Sequence, residues 1–65
     1  MTYIVNGETL ESSATTLSDL LLALDYEDEW LATAHNGELV HRQDRGACRL
    51  SEGDRIEILS PMQGG

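Results

Sequence analysis

Several residue types are absent or rare in this 65-residue chain, and each absence narrows the range of possible functions. The chain has no lysine and no phenylalanine, and it has one cysteine, one proline and one tryptophan. The single cysteine, Cys48, cannot form an intrachain disulfide, and no segment has the apolar length of a signal peptide or a membrane span. We therefore expect a soluble cytoplasmic protein with no membrane partner.

The charge balance is strongly acidic. Twelve aspartates and glutamates oppose four arginines, which gives a formal net charge of -8. Such a chain disfavours polyanionic partners and is attracted to basic protein surfaces, so no nucleic-acid partner is expected. Because a chain of this size buries only about 60% of the surface that its unfolded form exposes, we expect one domain, residues 1–65, with a simple core.

Two segments of the chain predict β-hairpins. Residues 2–11 are β-branched or extended in pattern on either side of Asn6-Gly7, the dipeptide most favoured in tight hairpin turns. Residues 30–41 repeat the arrangement around Asn36-Gly37. These patterns predict two pairs of strands.

One amphipathic helix is predicted between the hairpins. Thr16 lies at an N-cap position with Asp19 three residues later, as in a shortened capping box. Leucines follow at helical spacing, at positions 17, 20, 21 and 24. The helix is expected to run from about Leu17 to Asp25.

The last third of the chain predicts turns and one strand. Residues 44–49 have a turn-like composition that suits a short helical turn, and Ser51 to Asp54 form a turn before the alternating strand pattern Arg55 to Leu59. One helix with one leucine stripe must then cover one face of a small mixed sheet of four to five strands. The predicted fold is α+β, a β-grasp arrangement.

Strand alternation assigns residues to the two faces of this sheet. Tyr3 and Val5, with Ile56 and Ile58, are expected to face the helix, which leaves Ile4 and Leu59 on the open face, with an alanine of the third strand as a further candidate. If the first and last strands pair in parallel, Ile4 and Leu59 are expected to be adjacent in an exposed patch that binds a partner. The alternative is a scatter of isolated apolar side chains. For the third strand two buried sets are open, either Leu31, Thr33 and His35, or Trp30, Ala32 and Ala34.

The remaining reactive side chains do not predict a metal site. His35, His41 and Cys48 lack a recognised ligand spacing, and the acidic cluster Asp25, Glu27, Asp28 and Glu29 lacks the spaced loop of a calcium site. We expect a solvated acidic surface, a packed structural role for Cys48, and no bound metal or cofactor.

The chain ends in Pro61-Met62-Gln63-Gly64-Gly65, which we expect to form an exposed tail over residues 60–65. Five residues extend roughly 16 Å, and Pro61 stiffens the base of the tail. A terminal carboxylate has a pKa near 3.5, so it is an anion that must be activated before a nucleophile can attack it. A Cβ on Gly64 or Gly65 would crowd that attack. Met62 suits an irregular apolar groove on a partner, unless it is a tail residue without contacts.

Three segments in this order carry a family resemblance: Asn36-Gly37-Glu38-Leu39-Val40, Glu52-Gly53-Asp54-Arg55-Ile56-Glu57-Ile58, and Gly64-Gly65. The chain resembles the ThiS family of sulfur-carrier proteins of thiamine biosynthesis, over nearly its whole length. The resemblance implies a ubiquitin-like fold and a protein co-substrate rather than an enzyme.

The resemblance also implies partners. An E1-like adenylating enzyme of the ThiF type would use ATP to adenylate Gly65, a sulfur donor protein would supply sulfur for a thiocarboxylate, and a thiazole synthase of the ThiG type would take that sulfur. The tail residues Pro61, Met62, Gln63 and Gly64, with Leu59 and Ile4, would contact these partners. The alternatives are a carrier similar to the small subunit of molybdopterin synthase and a ubiquitin-like binding module with an inert tail.

Overall fold

The structure is a computed structural model, and it describes residues 1–26 and 31–60. Within these residues the chain forms strands β1 (Thr2–Val5), β2 (Glu8–Glu11), β3 (Ala32–His35), β4 (Glu38–Val40) and β5 (Arg55–Leu59), helix α1 (Leu17–Ala23), and a 3₁₀ helix (Arg42–Ala47). The sheet order is β2-β1-β5-β3-β4, and β1 and β5 pair in parallel while the other neighbours are antiparallel. The predicted order of elements, including the helical turn after β4, is confirmed.

Both predicted hairpin turns are confirmed. Asn6 and Gly7 have φ values of 51° and 84°, and Asn36 and Gly37 have 51° and 88°. Two successive residues with positive φ make a type I′ turn, whose twist matches that of the flanking strands. The second hairpin is shorter than predicted, since β3 begins at Ala32 and β4 ends at Val40; Trp30 lies outside the described residues.

Helix α1 begins as the sequence predicts and ends earlier. Thr16 Oγ1 accepts a hydrogen bond from the Asp19 amide at 3.1 Å, which satisfies one of the free amides at the helix start. At the other end Asp25 has a φ of 64°, the Asp25 amide donates to Leu22, and the Tyr26 amide donates to Leu21. These bonds form a Schellman motif, which ends the helix before Asp25. No helix within residues 1–26 and 31–60 is long and apolar enough to span a membrane.

The core lies between α1 and one face of the sheet. Strands β1 and β5 contribute buried residues at alternate positions, and α1 contributes three leucines: Tyr3, Ile56, Ile58, Leu17, Leu20 and Leu21. Val5 packs against this cluster, so the predicted inward face of both strands is confirmed. In the third strand region Leu31 and Thr33 are buried and Ala32 is exposed, which decides between the two sets left open by the sequence.

The expected adjacency of Ile4 and Leu59 is wrong, although the parallel pairing behind it is right. Ile4 lies opposite Arg55, and Leu59 is four residues further along β5, about 13 Å away at the usual rise of a strand. The register is set at the start of β5, where the Ile4 amide donates to the Asp54 carbonyl at 2.9 Å. Because β1 turns at Asn6, it ends before it reaches the level of Leu59.

Candidate functional site

The C-terminal tail leaves the central strand of the sheet. β5 is held between β1 and β3 and ends at Leu59, and Ser60 follows as a half-buried residue. The predicted tail residues Pro61, Met62, Gln63, Gly64 and Gly65 lie outside the described residues. The site is therefore built from the surface around the end of β5.

An apolar patch on the open face of the sheet adjoins this exit. It consists of Leu59, Leu39, Ala32 and Ala34. Leu59 and Leu39 are 70% and 66% exposed, and the two alanines lie on β3 between them. The register places Ala32 opposite Leu59, and it places Ala34 opposite Leu39. These residues surround a depression of about 130 Å³ that is suited to an apolar side chain of a partner.

Only one of the two predicted patch residues is part of this surface. Leu59 belongs to it, whereas Ile4 is half-buried between Thr9 and Arg55 on β1, which flanks β5 on the side away from β3. Ala32 and Ala34 agree with the expectation of an alanine of the third strand on this face, whereas Leu39 was not predicted. The two-residue turn at Asn36-Gly37 was a usable signal, because it fixes the register of the hairpin and brings Ala34 opposite Leu39.

Carboxylates border the apolar patch on two sides. Glu57 lines the depression itself. On the far side of Leu39 a groove of about 390 Å³ is lined by Glu38 and Asp44, with His35 and Cys48 at other points of its wall. In a chain of net charge -8, an apolar patch with acidic neighbours is complementary to an apolar protrusion flanked by basic side chains.

His35 is bonded to an aspartate that is itself the centre of a polar network. Its Nε2 lies 2.6 Å from Asp54 Oδ2, and Asp54 also accepts from the Ser51 amide at 2.8 Å and from Asn36 Nδ2 at 3.2 Å. Burial acts to raise the pKa of Asp54, but the bonds from His35, Ser51 and Asn36 outweigh it and hold that pKa below its usual value. Within residues 1–26 and 31–60 no group of three histidine, cysteine or acidic side chains is arranged to hold a metal ion.

The thiol of Cys48 is half-buried against the core. Burial, and then the negative charge of Asp54, raise the pKa of this thiol, so the thiolate is disfavoured and the group is a poor nucleophile. This agrees with the predicted structural role. Glu27, Asp28 and Glu29 of the predicted acidic cluster lie outside the described residues.

A buried arginine near the tail exit was not predicted. Arg45, in the 3₁₀ helix, is 8% exposed, and its Nε donates to Thr33 Oγ1 at 3.0 Å while Nη2 donates to the Leu31 carbonyl at 2.6 Å. The Thr33 hydroxyl in turn donates a hydrogen bond to the Val40 carbonyl at 2.8 Å. Burial, and then the charge of Arg42, lower the pKa of Arg45. The surrounding sequence, Arg42 to Ala47, gave no sign of this burial because it reads as a polar turn.

Comparisons with known proteins agree on one family. The family model of ThiS matches residues 3–65. A crystal structure of the thiamine biosynthesis protein ThiS from Geobacter metallireducens superposes with a TM-score of 0.83 at 30% identity over the whole of both chains. A solution structure of a thiamine biosynthesis protein from the same organism gives 0.81 at 32% identity, over all of this chain and 88% of the other.

A curated relative is much longer. The chain is 39% identical over 62 residues to a thiazole synthase of Magnetococcus marinus, a match that covers 94% of this chain and 19% of the relative. The chain thus spans about a fifth of the length of that protein. The structural neighbours confirm the ubiquitin-like β-grasp fold. On the family model and these structures, the chain belongs to the ThiS family.

Proposed function

We propose that this chain is a sulfur carrier whose terminal glycine is adenylated and then converted to a thiocarboxylate that donates sulfur for thiazole formation. The observation that carries the proposal is the extent of the family match, which runs from residue 3 through residue 65 and so includes Gly64-Gly65. The two structural neighbours are described as thiamine biosynthesis proteins.

The proposed chemistry takes place at the carboxyl group of Gly65. At neutral pH this group is a resonance-stabilised anion and a poor electrophile. An E1-like adenylating partner would join the carboxylate to the α-phosphate of ATP with release of pyrophosphate. Sulfide released by the sulfur donor would then attack the Gly65 carbonyl and expel AMP, which leaves the thiocarboxylate. The carrier supplies the reacting carbonyl and no catalytic side chain, so it acts as a protein co-substrate, and the ATP is used by its partner.

The described part of the chain supports this role by fixing the origin of the tail. β5 pairs with a strand on each side, and the apolar patch lies beside its last residue, Leu59. A partner that covers the patch would therefore be held close to the point from which residues 61–65 extend, roughly 16 Å if fully stretched. We propose the patch as the docking surface of the adenylating enzyme, and Glu57 as an acidic neighbour that favours a basic partner surface.

Thiazole synthase is the proposed acceptor of the sulfur. The support is the Magnetococcus protein, because a segment similar to this chain is part of a polypeptide that is named thiazole synthase. A carrier and an acceptor that belong to one polypeptide meet at high effective concentration. We infer that this chain likewise donates its sulfur to a thiazole synthase.

The proposal is tested by intact-protein mass spectrometry. The chain is incubated with an E1-like adenylating enzyme, ATP and a sulfur donor protein, and the expected product carries sulfur in place of one oxygen at Gly65. Deletion of Gly65 should abolish adenylate formation while thermal unfolding stays nearly unchanged, because a terminal residue contributes little buried area.

Two results would favour the alternatives. A complete reaction mixture that yields neither adenylate nor thiocarboxylate would indicate a binding module with an inert tail. A thiocarboxylate that is consumed in molybdopterin formation, and not by thiazole synthase, would indicate a carrier of the other pathway.

A further inference from the structure

The β3-β4 hairpin is incomplete beside the tail exit. In a hairpin with a two-residue turn the hydrogen-bonded pairs alternate from the turn, so His35 pairs with Glu38 and Thr33 with Val40. The next pair would join Leu31 to position 42. The chain enters the 3₁₀ helix at Arg42, so β4 supplies no amide for the Leu31 carbonyl.

The guanidinium of Arg45 takes the place of that missing amide. Its Nη2 donates to the Leu31 carbonyl at 2.6 Å, and its Nε donates to Thr33 Oγ1 at 3.0 Å. The Thr33 hydroxyl in turn donates to Val40, the last residue of β4. One buried side chain thus completes the outer edge of β3 where the partner strand has ended. Two donors in a fixed fork suit this task better than the single ammonium of a lysine.

The Leu31 carbonyl belongs to the Leu31–Ala32 peptide group, and the other edge of this group, with the Ala32 amide, faces β5. The Asn36 amide donates to the Arg55 carbonyl at 2.8 Å, which makes this a hydrogen-bonded pair. Since such pairs alternate in an antiparallel ladder, Ala34 with Glu57 and Ala32 with Leu59 are the next ones. The Leu31–Ala32 peptide therefore accepts from Arg45 on one side and donates to the Leu59 carbonyl on the other.

We propose that Arg45 is a positioning residue that fixes the point at which the chain leaves the sheet, and that it thereby presents the tail for adenylation. Hydrogen bonds in a chain polarise one another, so the charge-assisted bond to Leu31 strengthens the bond from Ala32 to Leu59. That bond is the last one of the ladder before Ser60. The part of the inference that concerns adenylation rests on the proposed function.

The test compares Arg45→Met with Arg49→Met. Methionine keeps an apolar chain in the core and removes the fork, while Arg49 is exposed, so its replacement changes the net charge equally without touching β3. Hydrogen exchange followed by NMR gives the exchange rate of the Ala32 amide in each variant. Binding and steady-state adenylation with the E1-like enzyme separate docking affinity from kcat.

We expect the Ala32 amide to exchange about tenfold faster in R45M than in R49M, the scale of one lost charge-assisted hydrogen bond. The docking affinities should match, because the apolar patch is intact, and kcat should fall about tenfold through misplacement of the reacting carbonyl. A purely structural role would lower the folded fraction and leave kcat per folded molecule unchanged. If R45M does not fold, Arg45→Lys is the second variant. It retains a donor at this position, so its Ala32 exchange rate and its kcat should both lie between those expected for R45M and for R49M.

The outcomes separate the two proposals. Equal Ala32 exchange in R45M and R49M, or a loss of docking affinity in place of kcat, overturns the role of Arg45. A wild-type chain that is never adenylated overturns the proposed function, and the exchange rates still decide whether Arg45 holds the exit of the tail.

Discussion

Replacing Leu59 with serine tests whether the apolar patch is a docking surface. The chain offers a matched control, since Leu22 is 68% exposed, close to the 70% of Leu59, and it lies on the outer side of α1, away from the open face of the sheet. Leu39, 66% exposed, is a second test from within the patch. The variants L59S, L39S and L22S each replace a leucine with serine, so they differ mainly in where the apolar side chain is lost.

The size of the effect follows from exposure. Complete burial of a leucine side chain stabilises by about 1.5–3 kcal/mol, and a partner that covers the exposed 70% of Leu59 recovers that share, about 1–2 kcal/mol. This corresponds to a dissociation constant about 5- to 30-fold higher in L59S. Since the side chain is exposed in the free carrier, its loss should change the free energy of unfolding by no more than about 0.5 kcal/mol.

The assay is isothermal titration calorimetry of each variant with the E1-like adenylating enzyme, and urea unfolding checks stability. We expect L59S and L39S to weaken binding and L22S to bind as the wild type does. Equal affinities for all three variants would refute the docking role of the patch. If L59S proves strongly destabilised, the assumption that this face is free in the monomer is wrong.

Three further predictions concern stability and are checked by urea unfolding. Because the pKa of Asp54 is lowered in the folded state, its ionised carboxylate stabilises the fold above the usual aspartate pKa, near 4, and this stabilisation is lost as the pH falls through the folded pKa. Asp54→Asn should therefore lower the free energy of unfolding by about 1–2 kcal/mol at pH 7, and the two proteins should become equally stable in acid. Gly37→Ala should cost about 1 kcal/mol because φ is 88°, whereas Gly46→Ala, with open space around it, should be nearly neutral, and equal costs would contradict this. Tyr3→Phe should cost about 1 kcal/mol, because it leaves the Ala14 carbonyl without its buried donor, and an unchanged midpoint would refute that role.

Local patterns in the sequence were sufficient for much of the fold. The type I′ turns, the Thr16 cap and the alternation of β5 each depend on residues close together in the chain, and the structure has all of them. Helix α1 ended early because Asp25 adopts a left-handed conformation that aspartate takes less often than glycine. The surrounding contacts determine this backbone conformation, and no residue type in the sequence indicates it.

Contacts between distant segments were harder to predict. The parallel pairing of β1 and β5 was a condition of the expected adjacency of Ile4 and Leu59, and the structure meets it. The sequence does not specify the register of that pair, so the adjacency itself failed. The burial of Arg45 depends on where β4 stops relative to β3, which a polar segment such as residues 42–47 does not reveal. Leu59 was thus predicted because its exposure depends on the alternation of one strand. Leu39 and Arg45 were missed because their positions depend on how several strands pair.

Strand β5 links the fold of this chain to its proposed function. Ile56 and Ile58 face the core, and Glu57 and Leu59 face the open side, so a shift of one residue would exchange the two sets. Polar contacts hold the strand at both ends, since Asp54 is bonded to His35 before it begins and Arg45 supports the peptide that pairs with Leu59 where it ends. In the proposed function this chain supplies no catalytic side chain, so it can help its partners only by the surface it offers and by the place where its tail starts. Both depend on the register of β5, and these two polar contacts hold that register at the two ends of the strand.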